Sequence, residues 1–231
     1  MKYHKVCKAK FVSRPNRFIA QVEIEGNEET VHVKNTGRCK ELLVPGAKVY
    51  LSDEGKPERK TKYDLIAVEK VLPDEKKLLI NMDSQAPNQV VAEFFRSGKF
   101  FSSSAQVKRE VRFQNSRFDF FITDGDRKVF VEVKGVTLED DGVALFPDAP
   151  TERGIKHITE LIEAKKQGYD AMIFFVIQMK EIKSFSPNDK THPAFGKALR
   201  NAKDEGVEIY AFDCLVTKDS LEISDRVEIK L

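Results

Sequence analysis

The sequence contains no tryptophan and only three cysteines, and just 12 glycines and 9 prolines occur among its 231 residues. Cys7, Cys39 and Cys214 are widely separated and odd in number, which excludes a disulfide framework and a CxxC zinc site. The low glycine and proline content excludes a fibrous or disordered chain. We therefore expect a globular protein with reduced cysteines, which is typical of the cytoplasm.

Long apolar runs and an excess of one charge sign are absent as well. The longest uncharged apolar stretch, residues 171–179, is about half as long as a membrane-spanning helix. The first twelve residues lack the continuous apolar block of a signal peptide, so we expect no membrane association. Thirty-nine basic residues against 37 acidic ones give a net charge of +2, which excludes a uniformly basic nucleic-acid-binding coat. Any basic surface must be local.

Hydrophobic periodicity divides the chain near residue 82. Short strand patterns with turn signals between them occupy 17–24, 31–33, 48–51, 65–72 and 78–81, which predicts a small barrel or sandwich over residues 1–82. Helical patterns follow at 89–97, 151–167 and 193–204. Further strands are predicted at 107–113, 117–122, 129–133, 171–177 and 207–212. This alternation predicts an α/β domain over residues 83–231.

The strand at 129–134 carries the clearest candidate for chemistry. Glu132 and Lys134 are two residues apart and therefore share one face of it. Asp119 lies opposite the apolar residues of the preceding strand, 117–122, and a hairpin would place it beside Glu132. Adjacent carboxylates repel each other, and a divalent cation relieves that repulsion. Oxygen ligands with vacant positions suit Mg²⁺.

The spacing of Glu132 and Lys134 is a weak signal on its own, because E-x-K occurs seven times in this chain. The Glu132 copy differs from the others in its apolar strand and in the upstream aspartate of a second apolar strand. The alternative is an ordinary salt-bridged sheet edge, and these residues alone favour neither interpretation. Glu110 either adds a carboxylate to the metal site or pairs with Arg112 or Arg117.

A second motif, FPDAPTERGIKH, occupies residues 146–157. Thr151 is a plausible helix N-cap after the two prolines. One stripe of the helix carries three donors at its positive end, Arg153, Lys156 and His157. That arrangement is typical of a phosphate-binding helix, and the alternative is a solvated face. Gly154 indicates a close approach, because glycine destabilises a helix interior.

Five strings together resemble the sugar fermentation stimulation protein A family over nearly the whole chain: NTGR, LLVPGAKVYLS, NSRFDF, VEVKGVTL and FPDAPTERGIKHITEL. The resemblance implies an α+β chain overall. Its N-terminal part would be a small OB-like β-barrel, followed by a PD-(D/E)xK nuclease-like α/β domain with a mixed central sheet. It also implies DNA as the partner, because family members are described as DNA-binding proteins linked to sugar-utilisation genes.

The resemblance carries specific residues with it. Asp119 matches the acidic residue of the second core strand, Glu132 and Lys134 match the E-x-K, and Glu110 is a looser match to an upstream acid. We hypothesise that Asp119, Glu132 and the Val133 carbonyl hold Mg²⁺ or Mn²⁺. Lys134 would orient the attacking water or stabilise the developing charge.

The barrel is expected to bind DNA through a basic groove with stacking aromatics. The candidate contacts in the barrel are Arg14, Arg17, Phe18, Lys34, Asn35, Arg38 and Lys40, and those on the later helix are Arg153, Lys156 and His157. In the turn at 35–38, Gly37 allows close approach and Arg38 offers a phosphate fork. The alternative for this turn is an ordinary polar hairpin loop.

Two functions follow from these residues. The first is a metal-dependent nuclease acting on DNA, and the second is a non-catalytic DNA-binding transcriptional regulator that retains a nuclease-like fold. The sequence leaves open whether the DNA is single- or double-stranded and whether the chain forms a homodimer.

Overall fold

Six strands form the N-terminal domain in the computed structural model, which describes residues 1–35, 37–55 and 58–231. They are β1 (Val6–Asn16), β2 (Ile19–Ile24), β3 (Asn27–Val33), β4 (Lys48–Asp53), β5 (Tyr63–Val71) and β6 (Lys77–Asn81). The strand order is β3-β2-β1-β4-β5-β6, and a parallel pairing of β3 with β5 closes β1–β5 into a five-stranded barrel. The predicted OB barrel is therefore confirmed.

Alternating side chains fill the barrel, as the sequence pattern predicts. Ala20 and Val22 of β2 point into the core, and Val31 and Val33 of β3 join them. The strand β1 was not predicted, although it is the longest in the barrel. Its inner face is short, with Phe11 as its large buried residue, so the polar outer face dominates its sequence.

The C-terminal domain is a mixed α/β structure. Its helices are α1 (Ala86–Arg96), α2 (Glu152–Lys166) and α3 (Pro193–Asp204). Its strands are β7 (Gln106–Phe113), β8 (Ser116–Asp124), β9 (Arg127–Val136), β10 (Leu138–Asp140), β11 (Val143–Phe146), β12 (Asp170–Ile177), β13 (Ser184–Pro187), β14 (Glu208–Val216), β15 (Leu221–Arg226) and β16 (Glu228–Ile229). Several of these were not predicted: β10, β11, β13, β15 and β16.

The central sheet has the order β15-β14-β12-β9-β8-β7, and a smaller sheet has the order β10-β11-β13-β16. In the central sheet β12 runs parallel to β9 and β14, and the other pairs are antiparallel. Helix α1 covers one face, while α2 and α3 cover the other. Strand β12 is consequently buried on both faces, as its continuous apolar sequence predicts.

The predicted helices are present with small shifts at their ends. Helix α1 begins at Ala86, three residues before the prediction, because Pro87 is well suited to a first helical turn. Thr151 caps α2 as predicted, and α3 has the predicted bounds. Among the described residues, no helix combines the length and apolar character that a bilayer crossing requires.

The two domains meet at the ends of β6 and β12. Gln178, which is buried there, donates from Nε2 to the backbone carbonyls of Asn81 (3.2 Å) and Asp83 (3.0 Å) and to Asn81 Oδ1 (2.9 Å). A β-carbon at Gly135 would lie 2.6 Å from Gln178 Oε1. This amide therefore joins the link between the domains to the end of β9.

Replacing Gln178 with leucine is expected to lower the free energy of unfolding by about 2–3 kcal/mol, because three buried acceptors lose their donor. Urea unfolding followed by circular dichroism measures this change. Gln89→Leu on the exposed side of α1 is the matched control. Equal stability of the two variants would show that the interdomain amide contributes nothing.

Candidate nuclease-like site

Glu132 lies at the centre of the site, on β9, with 4% of its surface exposed. Its Oε1 receives Lys134 Nζ at 2.5 Å and is also hydrogen-bonded to His157 Nδ1 from α2. Its Oε2 is buried without a hydrogen-bond partner. One oxygen of this carboxylate is thus held from two sides, and the other is available to a ligand.

Asp119 lies on the neighbouring strand, β8, and is held by neutral donors. Asn88 of α1 donates from Nδ2 to Oδ1 at 2.7 Å, and the Val133 backbone N–H donates to Oδ2 at 2.8 Å. The regular pairing of β8 with β9 extends from Asp124 to Phe120 and stops before Asp119. At this point the Asp119 side chain accepts the hydrogen bond of the Val133 backbone N–H.

The side-chain alternation of β8 changes at Asp119. Phe120 packs into the core on the α1 side of the sheet, whereas Phe118 packs into the core on the α2 side. The sequence pattern predicted both on one face, and that prediction is wrong. Strand β7 shows the same reversal beside it, with Val107 on the α1 side and Val111 on the α2 side.

The electrostatics of the two carboxyls differ in direction. Burial, followed by the charge of Glu132, raises the pKa of Asp119 above its ordinary value. Burial acts in the same sense on Glu132, but the hydrogen bond from His157 and the charge of Lys134 outweigh it and lower the pKa of Glu132. The pair therefore carries a negative charge that is compensated at Glu132 and not at Asp119.

This donor set fits a hard divalent cation. Asp119 and Glu132 supply carboxylate oxygens, and the Glu132 oxygen without a partner is the kind of vacancy that a cation fills. Among the described residues, no cluster of three or more acidic, histidine or cysteine side chains forms a ready-made metal cage. Mg²⁺ commonly binds through one or two carboxylates and keeps several waters, so the two-carboxylate arrangement suits it.

The start of α2 faces this site. Thr151 Oγ1 accepts the Gly154 N–H at 3.0 Å, and a β-carbon at Gly154 would lie 2.9 Å from the Thr151 side chain. The expected approach of a backbone or a ligand to Gly154 is replaced by a close contact with side chains, those of Thr151 and Phe195. Arg153 and Lys156 are exposed, as a phosphate contact requires. His157 differs from its prediction as a DNA contact, because it is buried against Glu132.

Glu110 is not brought into the cluster. It lies on β7 at the register position opposite Asp119, but its side chain is 61% exposed and forms an ion pair with Arg117 at 3.3 Å. No hydrogen bond joins it to Asp119, Glu132 or Lys134. Its φ of +55° turns the strand at this residue, so the structure agrees with the alternative partner, Arg117.

The predicted barrel contacts divide into exposed and internal groups. Arg17, Arg38 and Lys40 are exposed, and Phe18 is 51% exposed. Lys34 is not free, because its Nζ lies 3.2 Å from Asp64, 3.4 Å from Asp83 and 3.9 Å from Glu54.

The pKa of Lys34 reflects this environment. Burial would lower it, but Asp83 and Asp64 outweigh burial and raise it. The prediction of Lys34 as a DNA contact is therefore replaced by an internal ion-pair network.

The turn that begins at Asn35 is held by Arg14. The guanidinium of Arg14 donates to the backbone carbonyls of Asn35 (2.6 Å), Gly37 (2.9 Å), Arg38 (2.9 Å) and Arg17 (2.8 Å). Arg14 therefore shapes the turn rather than facing solvent as a DNA contact. Asn35 Oδ1 accepts the Gly37 N–H at 2.8 Å, and Thr36 lies outside the described residues.

At Gly37 the close neighbour is a side chain of the C-terminal domain, and an approach of DNA to this turn stays a prediction. A β-carbon there would lie 2.5 Å from Asp148 Oδ2, so the barrel turn contacts the FPDA motif of the other domain. A polar cleft of about 190 Å³ opens between them and is lined in part by Asn35, Gly135 and Thr137. Gly135 follows Lys134 on β9, so the cleft reaches the same strand that carries Glu132.

Comparison with known proteins agrees with this architecture. A model described as "SfsA N-terminal OB domain" matches residues 12–76, and one described as "Sugar fermentation stimulation protein RE domain" matches residues 85–220. Curated sugar fermentation stimulation protein homologs from Desulfitobacterium hafniense (strain Y51) and Clostridium beijerinckii are 57% and 54% identical. These alignments cover all of this chain and 99% and 100% of the relatives.

A solved structure has the same fold over the same length. It is described as the structure of Pyrococcus furiosus SfsA in complex with Ca²⁺ and superposes with a TM-score of 0.85 at 27% identity. The match covers 100% of this chain and 98% of that one. The chain belongs to the sugar fermentation stimulation protein family. The resemblance found in the sequence motifs is thereby confirmed.

Two contacts of this structure, one made by Asn88 and one by Arg14, have no signal in the sequence pattern. Asn88 follows a proline at the start of a helix, and nothing in its surroundings indicates contact with Asp119 thirty-one positions away. The role of Arg14 depends on a turn more than twenty residues later. Both contacts exist because the fold brings distant segments together.

Removing the charge of Asp119 and removing the charge of Glu132 are expected to change stability in opposite directions in metal-free protein at pH 8. Asp119→Asn should raise the free energy of unfolding by about 1 kcal/mol, because it removes the charge that burial and Glu132 disfavour. Glu132→Gln should lower it by about 1–3 kcal/mol, because Lys134 and His157 lose their acceptor charge. Thermal unfolding in EDTA measures both, with exposed Asp126→Asn as the control.

The same two pKa shifts predict how the stability of the protein depends on pH. The pKa of Asp119 is higher in the folded protein than in the unfolded chain. Wild type therefore loses stability as pH rises from the unfolded-chain pKa to the folded-protein pKa, and Asp119→Asn removes that loss. The pKa of Glu132 is lower in the folded protein than in the unfolded chain. Its charge therefore contributes stability at pH values above the unfolded-chain pKa, and this contribution disappears as pH falls through the folded-protein pKa. If Asp119→Asn and Glu132→Gln changed the free energy of unfolding in the same direction at pH 8, the opposite pKa shifts of the two carboxyls would be contradicted.

Proposed function

We propose that this protein is a Mg²⁺- or Mn²⁺-dependent nuclease that hydrolyses phosphodiester bonds in DNA through a PD-(D/E)xK-type site. The buried, unpartnered Glu132 Oε2 beside Asp119, with the ammonium of Lys134 next to it, carries this proposal. Such a site combines carboxylate oxygens that can bind a metal ion with the positive charge of a lysine. The Ca²⁺ complex of the Pyrococcus furiosus relative supports a divalent ion, since Ca²⁺ also takes oxygen ligands.

Each residue has a distinct role in the proposed reaction. Asp119, Glu132 and the Val133 carbonyl would hold the ion, which when bound supplies a water of lowered pKa and polarises the scissile phosphate. The Lys134 side chain is 15% exposed, so its ammonium can reach an attacking water or a phosphate oxygen. His157 holds the same Glu132 oxygen from the other side, which keeps the carboxylate oriented when Lys134 moves.

DNA would approach across the exposed cations of both domains. Arg17, Arg38 and Lys40 project from the barrel, and Arg153 and Lys156 project from α2. The polar cleft is lined by residues of the barrel turn and of the end of β9, so it lies where the two domains meet. We also propose that the protein acts in the cytoplasm, which its widely separated free cysteines support.

One observation favours the second candidate function, a non-catalytic DNA-binding transcriptional regulator of sugar-utilisation genes. The 2.5 Å contact between Lys134 and Glu132 occupies the ammonium that catalysis requires. This ion pair leaves Asp119 with neutral donors and leaves Glu132 Oε2 vacant. The site is therefore still open to a cation, and we favour the nuclease.

Cleavage of supercoiled plasmid and of labelled single- and double-stranded oligonucleotides tests the proposal. Wild-type protein should cleave DNA with Mg²⁺ or Mn²⁺ and not with EDTA. Asp119→Asn and Lys134→Ala should each lower the rate at least about 100-fold, because they remove an ion ligand and the charge beside the phosphate. Lys128→Ala, at an exposed position earlier on β9, is the matched control and should keep the wild-type rate.

Two outcomes contradict the nuclease. Cleavage that is unchanged in both variants, or that persists in EDTA, would come from another source. Protein that binds DNA but does not cleave it with either ion would instead support the regulator.

A further inference from the structure

The β7–β8 hairpin presents a basic surface at the edge of the central sheet. Strand β7 is the outer strand of this sheet, and no strand of the described chain pairs with its outer edge. The exposed basic residues of the hairpin are Lys108, Arg109, Arg112 and Arg117. Glu110 is the single acidic residue between Gln106 and Arg117. A local excess of positive charge therefore stands beside the acidic pair in a domain whose net charge is negative.

Two arginines of this hairpin face each other. Arg112 lies directly opposite Arg117 in the antiparallel register, and like charges at such positions destabilise a hairpin. Arg112 Nε donates to the Gln114 carbonyl at 3.3 Å, and Arg117 is 67% exposed. Neighbouring guanidinium groups suit a phosphate, which accepts paired N–H donors.

Contacts connect this hairpin to the proposed catalytic cluster. Lys156 of α2 donates from Nζ to the carbonyl of Asn115 in the hairpin turn at 3.3 Å. One turn earlier on α2, Arg153 Nε lies 3.4 Å from His157 Nε2, and His157 is bonded to Glu132. On the other side, Arg117 precedes Asp119 by two residues on β8. These contacts link the hairpin turn to α2, and α2 to Glu132.

The shape of this edge favours a nucleic-acid backbone over a second protein strand. Glu110 has a φ of +55°, and the side-chain alternation of β7 reverses there. A distorted edge lined with cations resists strand addition by another copy of the chain. It suits a polyanion, because Lys and Arg contacts to phosphates position a nucleic acid without reading its bases.

We propose that Arg112 and Arg117, together with Lys156, bind non-scissile phosphates and hold the DNA strand next to Asp119 and Glu132. This inference rests on the proposed function, because it names the surface on which that substrate lies. Glu110 weakens the contact between Arg117 and DNA, because it forms an ion pair with Arg117 at 3.3 Å. The two arginines position DNA and take no part in the chemical step.

Binding of a fluorescein-labelled DNA duplex and single strand, measured by anisotropy in EDTA over a range of salt concentrations, tests this surface. Arg112→Ala/Arg117→Ala should raise Kd at least about 10-fold and reduce the slope of log K against log salt by about 1–2. Lys190→Ala/Lys218→Ala removes the same charge from two exposed loop positions outside the hairpin and should stay within about twofold of wild type.

Two more variants sharpen the result. Arg112→Lys/Arg117→Lys keeps the charge and should bind with intermediate affinity, which separates phosphate contact from loss of the fold. Glu110→Gln frees Arg117 and should tighten binding about twofold to threefold without loss of Mg²⁺-dependent cleavage.

The outcomes separate this inference from the nuclease proposal. An alanine double variant with wild-type Kd and slope overturns the hairpin surface, while Mg²⁺-dependent cleavage by wild type would still support the nuclease. Weakened binding by the double variant supports the surface even if wild type never cleaves DNA. Loss of cleavage in Glu110→Gln would overturn the role given to Glu110 here and return it to the ion site.

Discussion

Repulsion between the buried carboxylate of Glu132 and the half-buried carboxylate of Asp119 is the constraint on which the C-terminal site depends. Burial disfavours both charges, and each charge disfavours the other. The two carboxylates have different hydrogen-bond partners. Glu132 receives Lys134 and His157 on one oxygen, while Asp119 receives an amide and a backbone N–H. The compensation is therefore incomplete. Asp119 is held by neutral donors, and among the described residues Glu132 Oε2 has no hydrogen-bond partner.

Much of the surrounding structure serves to hold this arrangement. Helix α1 brings Asn88 to Asp119, and α2 brings His157 to Glu132. The β8–β9 pairing ends where Asp119 takes the Val133 N–H, so the sheet opens at the acidic pair. Gln178 then ties the end of the same β-sheet to the link between the domains. The barrel turn at Gly37 reaches Asp148 on the other side of the cleft.

The parts of this site that were predicted from the sequence are those that follow from local pattern. Glu132 and Lys134 share a face because strands alternate, and Thr151 caps α2 because proline and threonine mark a helix start. The parts that were not predicted depend on pairing between distant segments. Lys34 meets Asp64 because β3 closes the barrel against β5. The reversal that separates Phe118 from Phe120 lies opposite Glu110, which has a positive φ on the neighbouring strand. An alternating pattern cannot reveal such a reversal.

The central claim is that Asp119 and Glu132 together form a divalent-cation site. Anomalous X-ray scattering from crystals grown with Mn²⁺ tests it most directly, because Mn²⁺ is located independently of the protein atoms. The account predicts one strong peak within coordination distance of an Asp119 oxygen and of Glu132 Oε2, and no such peak in Asp119→Asn crystals. A wild-type map with no Mn²⁺ at this position, and with Lys134 still paired to Glu132, would contradict it.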